Sequence, residues 1–463
     1  MKSVFVVGAG PAGMFAARQV ALAGYDVFIF NRDIKPGGLA EYGIYPTKDK
    51  MKFGLRKQFS QVLAMPNVHY FGHVQVGEGY DLTIEELEAM QPAAIIYACG
   101  AQGAGTLGLT GDQAKGIYAA KDFVYHYNQL PPYASQDFST GKRVGIIGMG
   151  NVAIDIARWL LEDAPNRVTE NVTIIARRGP LEIKFDEKEI GYLERHIARD
   201  ELIAELARVR ERCERCNQDV SPENVFENHF RRLKDPEATA VPPRLSFRFL
   251  SSPTAILAGP DGRIAQVEVT ENDLVLKDNG DTAAVKTKAT AMLDIDTLIF
   301  AIGDRHDTKI GLPMGPEGYA TRPDPEHPKD PHFEVWNPET GSTLSGTYVV
   351  GWARRASTGL VGIARHDGEL GAAKAIEYLK NLPDSSSLAE ADILTRLEKK
   401  GLRPVTKADL NLLAAAEQRI AAEKQITSFK FSDDDAMYKA IDEEKIQQLS
   451  AGQGAEFHSV PSN

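Results

Sequence analysis

Short continuous apolar runs recur along the chain and alternate with stretches whose apolar residues repeat at helical spacing. Val4 to Val7, Val27 to Phe30, Ala94 to Tyr97, Val144 to Ile147, Val172 to Ala176 and Leu298 to Ile302 are such runs. Their length and β-branched content predict buried strands of a parallel sheet. Two runs pass straight into a glycine turn and then a helical pattern: residues 4–22 and residues 144–161. In each case the chain returns as another strand, which predicts an α/β chain built from two strand–turn–helix–strand units. Thr83 to Met90 predicts a short helix. Residues 113–140 read as a crossing segment broken at Pro131-Pro132. A long charged helix is expected up to about Asn217. Residues 245–300 alternate apolar and polar positions between Pro/Gly/Asp turns, as in a β-meander. Thr321 to Glu339, rich in Pro, Asp and His, reads as a loop, and Ser385 to Ser387 as a turn. Two amphipathic helical stretches come next, with Thr406 and Asp409 spaced as a capping box. The polar residues from 446 onward are expected to be disordered.

The glycine turns carry the chemistry. In the second unit Gly148 permits a sharp turn and Gly150 a close backbone approach to a diphosphate. Ala153 is small enough for tight helix–strand packing. The diphosphate would then lie on free N–H groups at a helix start. The next strand ends in Arg177 and Arg178, where an NAD site carries an acid and arginine accommodates a 2′-phosphate. NADPH is therefore the expected ligand. In the first unit Gly8, Gly10, Pro11, Ala12 and Gly13 form the equivalent turn. Two fingerprints imply two dinucleotides, and the usual companion of NADPH is FAD. The first unit departs from expectation at the end of its second strand, where Asn31 precedes Arg32 and Asp33. Asn31 still has an acceptor for a ribose hydroxyl. Gly37 and Gly38 then form a loop that can lie flat along a ring or phosphate.

Composition narrows the class. A chain of 463 residues exceeds one ordinary core, and its 43% hydrophobic and 25% charged residues are those of a soluble globular protein. No apolar run reaches bilayer length, and Met1 leads almost at once into a strand rather than a signal peptide. Three cysteines cannot make a disulfide framework, so a cytoplasmic location is expected. The net charge of −11 argues against nucleic-acid binding. Cys213 and Cys216 form a CxxC that supplies half the ligands of a structural zinc. His69 and His73 lie in a strand-like segment, so no metal site is expected. Cys99 reads as a small buried apolar residue.

With these motifs in view, the chain resembles adrenodoxin reductase and the related two-domain bacterial ferredoxin–NADP reductases over residues 4 to about 440. The likeness is carried by GAGPAG, by Gly148 to Arg158, by ARRGPLE with Glu189 downstream, by the AIG strand exit, and by Gly351 to Gly359. The Gly-Gly-Leu and Tyr-Gly-Ile segments are similar to the glutamate synthase small subunit. The resemblance implies a glutathione-reductase-like flavoprotein: an FAD domain (1–110 and 320–445) with an NADP domain (111–319) inserted in it. It places Met149, Gly150, Asn151 and Val152 on the NADPH diphosphate, Arg177 and Arg178 on its 2′-phosphate, and Glu189 near the nicotinamide ribose. It places Gly351 and Trp352 beside the flavin, with the Gly359 and Leu360 N–H groups on its pyrimidine edge. Gly38, Leu39, Val74, Ala98, Cys99 and Gly100 would line FAD.

The family's proton-relay histidine segment is Pro46-Thr47-Lys48-Asp49 here, and its second glutamate is Tyr192, so only Asp155 remains. Lys48 would instead hydrogen-bond the flavin edge. The implied activity is hydride transfer from NADPH to FAD, then electron delivery to a ferredoxin-like iron–sulfur protein. Docking would use the basic-leaning region of Arg208, Arg210, Arg212, Arg215, Arg231, Arg232 and Lys234. Two other readings are a disulfide reductase using Cys213 and Cys216, and an electron-input subunit that works only with a partner. The sequence carries no signal for oligomeric state.

Overall fold

The structure is a computed structural model that describes residues 2–103, 105–315, 318–323, 332–357, 359–383 and 387–456, from 450 onward for the backbone alone. Contacts divide the chain into two units. The first comprises Met1–Gly103, Tyr125–Gln136 and Asp304–Asn463, and the second Ala104–Val124 and Asp137–Gly303. The boundaries expected at 110/111 and 319/320 thus fall nearer 103 and 303. Residues 125–136 stay with the first unit because Tyr125, Leu130 and Tyr133 pack with Leu39 and Tyr42.

The first unit is built on a six-stranded sheet in the order Glu334–Asn337, Ser342–Val349, Ala94–Tyr97, Ser3–Val7, Asp26–Asn31, Val68–Gly72. All pairings are parallel except that of Glu334–Asn337 with Ser342–Val349. Alternation along Ser3–Val7 sends Val4 and Val6 to one apolar layer and Phe5 and Val7 to the other, so this central strand is buried on both faces. Each such side chain contributes roughly 1.5–3 kcal/mol by burial. The helix Pro11–Leu22 packs on one face beside Val361–Lys380. Because Ser3–Val7 has Asp26–Asn31 on one side and Ala94–Tyr97 on the other, the chain order reverses across it. That reversal opens a crevice at the carboxyl ends of the strands.

The second unit repeats the logic in a five-stranded parallel sheet: Ile117–Ala119, Thr297–Phe300, Arg143–Ile147, Asn171–Ile175, Arg244–Arg248. A three-stranded antiparallel sheet of Ser251–Ala258, Ile264–Leu276 and Thr282–Asp294 supplies the meander. The long charged helix is Arg199–Glu214.

Two expectations change. The segment 321–339 contains the strand Glu334–Asn337, whose Val335 is fully buried in the first unit's core. Three helices, not two, come after residue 387: Glu390–Lys399, Lys407–Glu423 and Asp434–Glu456. The last extends through residues 446–456, expected to be disordered, because Met437, Ala440 and Ile441 pack on Leu412, Leu413 and Ala416. Residues 457–463, Ser385, Ser386 and Thr358 lie outside the described residues.

Candidate functional site: two dinucleotide cradles

In the first unit Gly8 has φ +105°, and a Cβ there would stand 2.6 Å from the Ala98 carbonyl oxygen. Gly13 is equally constrained: its Cβ would meet the Gly8 oxygen at 2.0 Å, so helix and strand approach as closely as backbone allows. Gly10 differs. It is the N-cap of Pro11–Leu22 at φ −74°, a conformation open to any residue, and a Cβ on it would point into empty space. That space lies at the helix start, with Pro11 at the first position and Ala12 behind it. The turn is therefore shaped to leave room for an anion over free N–H groups, which fits the diphosphate of a dinucleotide.

Around this turn, Gly37 donates its N–H to the Ala9 oxygen (2.8 Å), and a Cβ on Gly38 would stand 3.3 Å from the Gly10 Cα. Leu39 begins the short helix Leu39–Tyr42 and is half-buried. Ala98, Cys99 and Gly100 leave the strand Ala94–Tyr97 beside Gly8, Gly100 at φ +71°. Burial pushes the Cys99 thiol up to about 12, so it is protonated at neutral pH. Val74 is 1% exposed. Its side chain is buried in the core, and its N–H is taken by the Asn31 oxygen. Beyond Asn31 a cleft of about 470 Å³ is lined by Arg32, Asp33, Gln75, Gln102, Tyr133 and Asp307 among others. Lys48 is half-buried at the N-cap of Asp49–Leu63.

Gly351 and Trp352 form a short turn, Gly351–Ala353, in which Gly351 has φ +65° and a Cβ would meet the Ala12 Cβ at 2.5 Å. The turn is held by Asp367, whose Oδ2 accepts the Gly351 N–H at 2.6 Å and whose carboxylate pairs with the buried Arg354. No sequence motif pointed to Asp367, because it acts from a helix sixteen residues on. Gly359 (φ +74°) and Leu360, the N-cap of Val361–Lys380, are exposed.

In the second unit Gly148 has φ +124°, with a Cβ 2.2 Å from the Ala301 oxygen, whereas Gly150 caps Asn151–Arg158 and faces open space. Ala153 is fully buried. The Asn151 side chain exchanges two hydrogen bonds with Asp186 (2.8 and 2.9 Å), and Lys184 N–H donates to the Met149 oxygen at 3.1 Å. The side chain of Asn151 thus pins the next loop, leaving its backbone N–H with Val152, 45% exposed, at the helix start. Past the strand Asn171–Ile175, Arg177 is exposed, and its guanidinium has no ion-pair or hydrogen-bond partner among the described residues. Arg178 lies 3.5 Å from Glu182. Asp155 and Glu189 are half-buried, on Asn151–Arg158 and Glu187–Gly191. Tyr192 lies beneath the Arg158 guanidinium, 4.2 Å from the ring centre.

Two sequence readings fail on geometry. Cys213 and Cys216 are free but buried, and burial pushes the Cys213 thiol up to about 12, against the thiolate a dithiol reductase needs. Five of the seven cations in the basic-leaning region are taken up in ion pairs. Arg208 pairs with Glu205 and Glu271, Arg212 with Glu271, Arg215 with Asp273, Arg231 with Glu187 and Lys234 with Glu227. Arg208 and Arg212 hold the helix to the sheet rather than forming an open patch. Arg210 and Arg232 are exposed.

Two glycine cradles, each at the end of a parallel central strand, define a nucleotide-dependent oxidoreductase with paired dinucleotide-binding units. The pyridine nucleotide–disulphide oxidoreductase family model matches residues 2–228. NADPH-ferredoxin reductase FprA of Mycobacterium leprae (strain TN) is 31% identical, over 85% of this chain and 87% of its own length. The mitochondrial NADPH:adrenodoxin oxidoreductase of Bos taurus is 28% identical, over 89% and 87%. The structure of Mycobacterium tuberculosis FprA in complex with NADPH superposes with a TM-score of 0.76 at 26% identity, covering 95% of this chain and 98% of that one. The chain belongs to the pyridine nucleotide–disulphide oxidoreductases, in the branch of the ferredoxin and adrenodoxin reductases.

Proposed function

We propose that the protein is an FAD-dependent NADPH oxidoreductase that passes electrons to a ferredoxin-like iron–sulfur protein. The observation that carries this reading is the pair of open-faced glycines, Gly10 and Gly150, each capping a helix, with an unpartnered arginine beside the second alone. FAD, when bound, supplies the chemistry, taking hydride and releasing electrons singly.

The chain's residues bind and orient. The turn Gly8 to Gly13 receives the FAD diphosphate, with Gly38, Leu39 and Ala98 to Gly100 around it. Gly148, Gly150 and the backbone of Met149, Asn151 and Val152 receive the NADPH diphosphate. Arg177 and Arg178 hold the 2′-phosphate, and Glu189 lies toward the nicotinamide ribose. Asp367 fixes the Gly351–Trp352 turn, which would border the flavin, and the N–H groups at Gly359 and Leu360 would hold its pyrimidine edge. Lys48 and Asp155 are the residues assigned to proton and hydrogen-bond control. With Arg208 and Arg212 spent on Glu205 and Glu271, the iron–sulfur partner docks elsewhere than at these two arginines. No helix among the described residues is long and apolar enough to cross a membrane.

An anaerobic titration tests the reading. NADPH should bleach the flavin absorbance near stoichiometry while NADH should need a large excess. A preparation that takes up no FAD would refute the proposal. A yellow protein that neither nucleotide bleaches would favour the partner-dependent subunit.

A further inference from the structure

The strand Asp26–Asn31 ends in an amide that is already committed. Asn31 is 5% exposed. Its Oδ1 accepts the Ala9 N–H at 2.9 Å, in the middle of the first glycine turn. Its Nδ2 donates to the backbone oxygens of Asp33 (2.7 Å) and Lys35 (3.1 Å), with the Tyr70 hydroxyl also at 3.1 Å. A donor at one end and three acceptors at the other fix which way the amide points. Both Nδ2 protons are therefore used, and Oδ1 keeps one lone pair. A carboxylate at this place would offer a second acceptor to a ribose diol. Here it would instead set an oxygen against the Asp33 and Lys35 carbonyls, acceptor against acceptor in a buried site.

The groups Asn31 joins are the two glycine loops of the cradle. It holds Ala9 on one side and residues 33–35 on the other, and the latter lead into Gly37 and Gly38. Gly37 returns an N–H to the Ala9 oxygen at 2.8 Å, and Gly38 lies against Gly10. Tyr70, buried beneath, donates to the Ile34 oxygen at 3.1 Å and completes the brace.

We infer that Asn31 is a positioning residue that locks the second glycine loop onto the first, and that the site thereby gives up a two-point grip on the adenosine ribose. This rests on reading the first unit as the FAD site. Two consequences separate it from a ribose-ligand role. An acid here, as dinucleotide sites commonly carry at this place, should harm the site, and the ribose hydroxyls should matter little to affinity.

The experiment measures binding of FAD, and of FAD carrying 2′-deoxyadenosine, to the apoprotein by quenching of flavin fluorescence. In the wild type the deoxy analogue should bind less than about tenfold more weakly, the range of one neutral hydrogen bond, where a charge-assisted grip costs about tenfold or more. Asn31→Asp should weaken FAD by about tenfold or more. A deoxy penalty of tenfold or more in the wild type, or an Asn31→Asp apoprotein that binds FAD as tightly or more tightly, would overturn the assignment. The analogue comparison needs no variant, so it decides even where Asn31→Asp does not fold. Wild-type apoprotein that binds neither flavin would instead remove the FAD reading itself.

Discussion

The two cradles share their turns and differ just past the second strand. In the first sheet Val7 pairs with Phe30, and in the second Ile147 pairs with Ile175. Arg32 and Arg177 therefore occupy the same register, two residues past those pairs. Arg32 donates from Nε and Nη2 to the two oxygens of Asp33 and from Nη1 to Gln102, and lies 5.8 Å from the Tyr125 ring centre. Burial works against its charge, but Asp33 and Tyr125 outweigh burial and keep it protonated. Arg177 is exposed with no such partner among the described residues. On the proposed assignment, selectivity for a 2′-phosphate would depend less on having an arginine at this register than on leaving it unspent.

Removing the open arginines should give the largest effect. Replacing Arg177 and Arg178 together with alanine forfeits two charge-assisted hydrogen bonds, each worth about 1.5–3 kcal/mol, so the preference for NADPH over NADH should fall by about a hundredfold or more. Arg177→Ala alone should cost more than Arg178→Ala, because Arg178 is shared with Glu182 at 3.5 Å. Dissociation constants for both nucleotides check this; an unchanged ratio in the double variant would place the 2′-phosphate elsewhere.

The loop after the first cradle is anchored by ion pairs to the buried Glu41, whereas the loop after the second is pinned by the neutral amide of Asn151 on Asp186. Glu41, 4% exposed, pairs with Arg56 (2.6 Å) and Lys430 (2.9 Å). Burial alone would raise its pKa, but the Arg56 hydrogen bond and the charges of Lys430 and Lys35 bring it down to about 2. A depressed carboxylate contributes stability above its unfolded value, and that contribution is lost as pH falls from about 4.5 to about 2. Lys52 is the opposite case: burial first, then Lys430, lower it to about 8. Its charged form strains the fold at lower pH, and stability rises as pH climbs from about 8 toward the unfolded value near 10.5. Each limb amounts to about 3 kcal/mol at most. Glu41→Gln should flatten the acid limb of unfolding free energy against pH and Lys52→Met the alkaline one. An unchanged profile in either variant would refute that anchoring.

The glycines sort into two kinds in both units. Gly10→Ala and Gly150→Ala add a methyl to open space at permissive φ, so melting temperature should hold while FAD or NADPH binding, respectively, weakens by about tenfold. Gly8→Ala and Gly148→Ala meet a carbonyl at positive φ and should destabilise the fold by about 1–3 kcal/mol. Thermal melts paired with ligand titrations separate the kinds; equal melting losses at Gly10 and Gly8 would deny that the two glycines play different parts.

What the sequence made legible was local. Both glycine turns, their strands and the Thr406–Asp409 capping box are patterns within a few residues, and the backbone takes them up as read. What escaped was decided at distance. Arg208 and Arg212 look like a basic face along the chain, yet Glu271, on a strand about sixty residues on, draws them inward. Val335 sits among Pro, Asp and His residues that signal a loop, but the sheet edge recruits it. The resemblance alone set Val74 against FAD, and the structure buries its side chain in the core. Asn31 itself read as a weakened ribose ligand, because nothing in the sequence places Lys35 and Tyr70 around it.

The smallest effect would sharpen the comparison furthest. Asp33→Asn keeps the size of the side chain facing Arg32 but removes its charge, leaving an arginine that is half-buried, stacked near Tyr125 and still bonded to Gln102. The first unit would then carry a cation without a carboxylate partner at the register of Arg177. If selectivity comes from the partner, adenosine 2′,5′-diphosphate should bind the flavin-free variant severalfold better than the wild-type apoprotein, in an Arg177→Ala background that silences the second site. The gain stays small because Arg32, unlike Arg177, is held by its neighbours and must turn to meet a phosphate. No gain at low salt would mean that the shape of the first cradle, rather than the Asp33 charge, excludes the 2′-phosphate.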